Sequence, residues 1–240
     1  SGEETAIRDA HAAWFLGLAE RTDTEAGDPD RAARSLRLEA DRSNCRAALA
    51  WAIERGDAET ALRLAAALGV VWLGRGPYDE GRVWLERALA LDDVGSPARA
   101  PALIVLARLV FLQGDLHRAT ALGEEALDLS RASGDRLGTA RALIAIGEAV
   151  DRQGDLDRSV LCHEEALAIF RALDEKRGVA ETLDHLGIVA WLRGEVDRYA
   201  ALAEEALVLW QAIGDRRGII ASLDSLSLVA RHRGQLERQA

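Results

Sequence analysis

Gln113-Gly114-Asp115-Leu116 returns as Gln153-Gly154-Asp155-Leu156, then as Arg193-Gly194-Glu195-Val196, then as Arg233-Gly234-Gln235-Leu236. The glycines stand at 114, 154, 194 and 234, 40 residues apart each time. A second marker keeps the same step: Glu124-Glu125-Ala126-Leu127, Glu164-Glu165-Ala166-Leu167 and Glu204-Glu205-Ala206-Leu207. A third is Gly134-Asp135-Arg136-Leu137-Gly138, answered by Asp174-Glu175-Lys176-Arg177-Gly178 and Gly214-Asp215-Arg216-Arg217-Gly218. Three markers in one register define a tandem array.

Apolar residues inside each unit recur at helical spacing. Leu143, Ile146 and Val150 form one stripe, and Leu156, Val160, Leu167 and Phe170 form the next. Between them, Gln153-Gly154-Asp155 has the chemistry of a helix–helix corner. Glycine takes the left-handed position that ends one helix, and the following carboxylate caps the next. The unit break Gly134-Asp135 reads the same way. Each unit is therefore a pair of antiparallel helices, and stacked units share one continuous core. Sustained apolar/polar alternation is absent, which excludes a sheet-based fold.

With Leu143 as position 4 of a unit, position 8 is Gly147, position 15 is Gly154 and position 27 is Ala166. The next unit repeats this with Gly187, Gly194 and Ala206, and the preceding one has Ala107, Gly114, Ala119 at position 20, and Ala126. This small-residue pattern resembles the tetratricopeptide repeat, in its longer-helix variant. The resemblance implies an all-α fold, a right-handed superhelix (an α-solenoid of antiparallel helix pairs). Position 20 departs at Ser159 and Tyr199, and position 24 is Gly123, His163 and Ala203 where the family has an aromatic ring. These departures should weaken individual contacts. Counting back places a shorter first unit at about Asp57–Asp92, and a fifth unit stops inside its second helix at Ala240. The expected division is residues 1–56 as a degenerate helical pair, an N-terminal cap or linker, and residues 57–240 as about four full repeats plus a truncated fifth.

In the N-terminal part, Glu4–Arg21 reads as one helix, Thr22–Asp30 as a polar loop and Arg31–Glu54 as a long second helix. The stretch Leu38-Glu39-Ala40-Asp41-Arg42-Ser43-Asn44-Cys45-Arg46-Ala47-Ala48-Leu49-Ala50-Trp51, followed by Trp72-Leu73-Gly74-Arg75-Gly76 and Glu80-Gly81-Arg82-Val83-Trp84-Leu85-Glu86, resembles the segment after the nucleotide-binding module in bacterial STAND-type transcriptional regulators of the AfsR and LuxR/MalT-like kind. The resemblance covers about Ala12–Glu86. It implies a sensor arm beside an upstream ATPase domain of the same chain, in a bacterial cytoplasm. The opening at Ser1 without a methionine fits a piece of a longer polypeptide.

Composition narrows the functional classes. The 240 residues carry a net charge of −10, with 40 acidic against 30 basic side chains and a pI near 5.1. Such a surface repels phosphate backbones, and 5% aromatic content leaves little for base stacking, so direct nucleic-acid binding is not expected. Lys176 is the sole lysine, a bias toward arginine that fits a GC-rich genome. No apolar stretch approaches the roughly 20 residues needed to span a bilayer, and no signal peptide is visible. Two cysteines, Cys45 and Cys162, make no disulfide framework and read as small buried hydrophobes.

Catalytic motifs are missing. There is no Gly-x-x-x-x-Gly-Lys-Ser/Thr run, so no cofactor is expected to bind through a P-loop. His163-Glu164-Glu165-Ala166-Leu167 begins like a zinc-protease motif but has Leu167 where the second histidine belongs, so His163 reads as a surface residue beside the acidic marker. His11, His117, His185 and His232 have no partner at metal-ligand spacing. Recurrent acidic pairs such as Glu124-Glu125 read as a solvated helix face.

The tetratricopeptide resemblance implies a concave groove lined by the first helix of each pair, through positions 2, 5, 9, 12 and 13. Carried over, the second unit contributes Ile104, Arg108, Phe111 and Leu112, and the third Arg141, Ile144, Glu148, Asp151 and Arg152. The fourth contributes Glu181, Asp184, Ile188, Trp191 and Leu192, and the fifth Asp224, Leu228, Arg231 and His232. The lysines and asparagines of the chaperone carboxylate clamp are missing from these positions. Apolar anchors among charges of both signs suit a protein or peptide ligand. Trp191 has a second reading, as packing against the next repeat. A free-standing scaffold adaptor and a peptide-binding quorum receptor are the alternative functions.

Overall fold

The computed structural model describes residues 2–24, 31–91 and 95–237. All regular secondary structure among them is helical: α1 (Gly2–Thr24), α2 (Arg31–Ala40), α3 (Arg42–Glu54), α4 (Ala58–Ala67), α5 (Gly69–Arg75), α6 (Tyr78–Leu89), α7 (Arg99–Leu112), α8 (Leu116–Ser133), α9 (Arg136–Gln153), α10 (Leu156–Ala172), α11 (Lys176–Leu192), α12 (Val196–Ile213) and α13 (Arg216–Glu237). The chain forms two compact units, Ser1–Gly138 and Thr139–Ala240. That boundary falls inside the repeat array, beyond the 56/57 division expected from the sequence.

In the first unit α1 packs on α3 and α4, α4 on α6, and α6 on α7. The helix expected over Arg31–Glu54 is two helices, α2 and α3, parted at Asp41. Asp41 does not cap α3 through its side chain; its carboxylate accepts from the Asn44 amide instead. Both Leu38 and Cys45, on either side of the break, are buried. Of the expected polar loop Thr22–Asp30, residues 22–24 belong to α1 and residues 25–30 lie outside the described residues. The first repeat is likewise interrupted, at Leu68 between α4 and α5.

Three of the four corners read from the sequence form; at the fourth, Arg233-Gly234-Gln235, α13 runs on through Gly234 to Glu237, so the second helix expected for a truncated fifth unit does not begin among the described residues. Gly114, Gly154 and Gly194 have φ of 89°, 91° and 75°, the left-handed region that ends a helix. Asp115 and Asp155 then accept from the backbone N–H groups of Arg118 and Arg158, at 3.2 and 3.1 Å. The unit breaks use Gly134 and Gly214 in the same conformation, while Asp174 holds it as a non-glycine residue with φ of 53°. The third sequence marker has a second reason. Asp135, Glu175 and Asp215 each accept from the N–H of the glycine three residues on, Gly138, Gly178 and Gly218. A Cβ at Gly178 would fall 2.4 Å from the Phe170 ring, and one at Gly218 would fall 2.2 Å from the Trp210 ring. Only glycine lets the next helix start against those rings.

In the second unit two helix pairs solve one packing problem in different ways. Ala166 and Ala206 are fully buried where the paired helices approach. Beside α10, the glycine of α9 at position 8 (Gly147) is filled by the ring of His163, whose Cε1 lies 2.5 Å from where a Cβ would stand. Beside α12, Gly187 of α11 is filled by Tyr199, at 3.1 Å. The ring comes from position 24 in one pair and from position 20 in the next. Ser159 and Ala203 occupy the vacated slots and are buried. The expected weakening at positions 20 and 24 is thus offset by an exchange of one helical turn.

Candidate functional site

The residues proposed to line a groove fall into three groups. Ile104 in the first unit and Ile144 in the second are 7% and 4% exposed, so both belong to the core and present little surface. Position 5 adjoins the buried position 4 (Leu103, Leu143), and an isoleucine there packs inward, whereas the aspartates at the same position in the next two units, Asp184 and Asp224, are half-buried and exposed. Arg108 and Phe111 on α7 are half-buried. On α11, Ile188 is 46% and Leu192 57% exposed, giving an apolar strip. Asp224 and Arg231 on α13 are exposed.

Trp191 does what its second reading expected and packs on the following pair. It is half-buried, with ring centroids 5.3 Å from Tyr199 and 5.6 Å from His232, the latter edge-on. Its indole therefore borders the strip and anchors α11 to α12 and α13.

Beside the strip lies a polar cluster drawn from α9, α10 and α11. Glu148 Oε1 is 3.4 Å from His185 Nε2. Asp151 and Asp184 also act on His185 electrostatically, as Arg152 does on Asp151. Trp210 Nε1 donates to Asp184 at 2.8 Å. His163 stacks on His185 with ring centroids 5.0 Å apart and an interplanar angle of 4°. Burial pushes the carboxyls of Asp151 and Asp184 above their ordinary range. Burial, together with the neighbouring His185, pushes His163 down to about 3, so this imidazole is neutral at physiological pH.

His163 corrects the sequence reading. Expected on the surface beside the acidic marker, it is 1% exposed, and its Nδ1 has no hydrogen-bond partner among the described residues. His185, read only as lacking a partner at metal-ligand spacing, is its stacking partner. The signal was present in the sequence: position 24 is where the tetratricopeptide pattern buries an aromatic ring, and position 8 opposite it is a glycine. Weighing His163 by its acidic neighbours in sequence hid that.

Little here suits covalent chemistry. Burial, then the nearby Asp41, pushes the Cys45 thiol up to about 11, leaving almost no thiolate at neutral pH. Among the described residues no three His, Cys, Asp or Glu side chains are arranged to hold a metal ion. No helix among them is long and apolar enough to cross a membrane.

Comparison with known proteins agrees with this architecture. The tetratricopeptide-repeat family matches residues 99–172. Proteins named as HTH-type transcriptional regulators from Mycobacterium bovis and Mycobacterium tuberculosis are 33% identical over 141 residues, covering 55% of this chain and 16% of each relative. The chain thus spans about one-sixth of the length of the curated relatives it matches. Among solved structures, a Rap protein complexed with competence and sporulation factor aligns with a TM-score of 0.68 at 12% identity, over 99% of this chain and 74% of that one. Aspartyl phosphate phosphatase F from Bacillus subtilis aligns with a TM-score of 0.66 at 12% identity, over 86% and 56%. The nearly identical tetratricopeptide-like repeats of a Podosopora anserina kinesin light chain give 0.57 at 18% identity, over 74% and 89%. At these identities the structures speak to the fold. Repeat register, glycine corners, paired helices and the family match at residues 99–172 converge: the array is a tetratricopeptide-repeat fold, with its matched repeats in the tetratricopeptide-repeat family.

Proposed function

We propose that this chain is the partner-binding, regulatory arm of a bacterial signal-responsive transcriptional regulator, taking a protein or peptide on the inner faces of its first-in-pair helices. The reading is of a non-catalytic cytoplasmic segment. The observation that carries it is the exposed strip Ile188–Leu192 on α11, bordered by Trp191 and by charges of both signs. Apolar anchors within a polar rim are what a peptide interface needs. The regulator assignment draws on the 33% identity to HTH-type regulators, and the STAND-like wording of Leu38–Trp51 adds an upstream ATPase domain as the controlled element. Such control requires the partner to bind one state of the whole protein more tightly than the other.

A second reading, a peptide receptor working without a DNA-binding domain, draws on the likeness to a Rap protein whose structure holds a competence and sporulation factor. The test uses the native gene product, with promoter occupancy and ATP hydrolysis measured before and after deletion of residues 1–240, and in Ile188→Glu. Deletion is expected to change both readouts, and Ile188→Glu to abolish the response to the natural signal. A gene product without ATPase activity or DNA binding would favour the receptor reading, and indifference of both readouts to deletion would remove the regulatory one.

A further inference from the structure

One face of α13 is bare where its counterpart in the array is covered. Ile220, Leu223, Ser227 and Ala230 stand 40 residues after Ala180, Leu183, Gly187 and Ala190 of α11. In α11 all four are buried, and α12 packs on that helix. In α13 all four are exposed, Ile220 at 59% and Leu223 at 47%. Their spacing alternates three and four residues, which is the seam of a helix that pairs with another helix.

Charges along the edge of this seam select the other helix. Arg217, Asp224 and Arg231 recur every seven residues, so they share one side of the seam and alternate in sign. All three are exposed, and their side chains form no ion pair among the described residues. Arg177, which holds the place of Arg217 in α11, is bound to Asp215 at 2.7 Å. A two-fold axis lays the helix antiparallel on a copy of itself, so that residue i meets j and j meets i. With Ile220 resting on the partner's Leu223, Arg217 comes abreast of the partner's Asp224, and both contacts occur twice. The pattern is its own complement. A helix bearing one sign of charge would set like charge against either Asp224 or the arginines.

We propose that α13 is a self-association surface, on which two copies of this chain pair antiparallel through Ile220 and Leu223 with reciprocal Arg217–Asp224 bridges. One helix face is small beside the roughly 1,200 Å² that a stable interface buries, so the dimer is weak and forms at micromolar concentration and above. It uses none of the α11 strip residues and stands independently of the groove reading.

Analytical ultracentrifugation of the 240-residue chain across micromolar concentrations tests this. A reversible monomer–dimer equilibrium is expected, weakened about tenfold or more by Ile220→Glu. Arg217→Asp and Asp224→Arg should each weaken it too. Mixed together, those two variants should pair with each other as tightly as the parent chain does, because every bridge is restored with its ends exchanged. All three positions are exposed, so the fold should survive each change, and circular dichroism checks it. A chain that stays monomeric, a dimer indifferent to Ile220→Glu, or mixed variants that fail to pair would overturn the proposal. In the native gene product, the Ile220→Cys variant should react with a maleimide at nanomolar concentration and gain protection as its concentration rises. Protection at every concentration would give the face to a helix of the same polypeptide and overturn the proposal as well.

Discussion

The pairs α9–α10 and α11–α12 share length, corners and register, yet they fill the space over their position-8 glycine with different rings. In the first the ring is His163, and in the second it is Tyr199, one helical turn earlier in its helix. Tyr199 packs with Trp191 in an apolar cluster with Ala190, Ala200 and Val229. His163 packs on His185 and brings a buried, unpartnered nitrogen next to a carboxylate cluster. In one pair the space over the glycine is closed by a ring in an apolar cluster. The other accepts a polar ring at a cost, and that ring stacks on the imidazole that Glu148, Asp151 and Asp184 face. What the repeats conserve is the volume filled, and what they vary is its chemistry.

The largest effect should be common to both pairs. Ala166→Glu and Ala206→Glu each place a carboxylate at a fully buried contact, and each should cost about 3 kcal/mol or more. Thermal unfolding checks this, and a neutral result at either position would mean the repeat register is wrong for that pair.

The next test separates the pairs. Gly147→Ala sets a Cβ 2.5 Å from a stacked, buried ring, so the helix-propensity gain is outweighed and the net loss should be about 1–3 kcal/mol. Gly187→Ala meets Tyr199 at 3.1 Å, which a few tenths of an ångström of movement relieves, so the change should lie within about 1 kcal/mol of zero. Equal effects at 147 and 187 would erase the distinction drawn between the two rings.

Acid should sharpen it. The folded-state pKa of His163 lies near 3, below that of an unfolded histidine. As pH falls below about 6.5 the unfolded chain takes up a proton that the folded chain refuses, so this residue destabilises the fold progressively down to about pH 3. The slope from this group approaches about 1.4 kcal/mol per pH unit. Asp151 and Asp184, raised by burial, work in the opposite direction as they protonate, so the comparison is between His163→Phe and the parent chain at each pH. At pH 5 the variant should gain about 2 kcal/mol relative to its gain at pH 8. A difference independent of pH would show that His163 titrates alike in the folded and unfolded chain, against its burial.

The smallest effect lies at the break between the two pairs. Asp174 holds φ of 53° where the equivalent breaks use Gly134 and Gly214. Asp174→Gly should stabilise the chain by about 0.5–1 kcal/mol by releasing that strain, and Gly214→Asp should cost a similar amount. Chemical denaturation of the two variants measures both.

The repeat fold was legible because its signals are local. A corner needs a left-handed residue and a cap, and Gly114-Asp115 or Gly154-Asp155 supply both within two positions. The break at Asp41 was not legible, because no glycine or proline marks it; at Leu68 the adjoining Gly69 stands in an apolar run, Leu64–Gly74, that reads as continuous helix. Site residues were harder still. Position arithmetic selected Ile188 and Leu192, which are exposed, alongside Ile104 and Ile144, which are buried. The pairing of His163 with His185 joins α10 to α11 across 22 residues, and nothing in the chain's local chemistry announces it.

The central claim, that the exposed strip of α11 is a binding surface, is tested most directly by selecting a peptide from a random library on the parent chain and measuring its affinity for three forms: the parent, Ile188→Glu on α11 and Val208→Glu on α12. Both positions are exposed, at 46% and 64%, so neither substitution should disturb folding. The expected result is a loss of thirtyfold or more, about 2 kcal/mol, for Ile188→Glu and none for Val208→Glu. Equal affinity for all three, or a loss confined to Val208→Glu, would contradict the account.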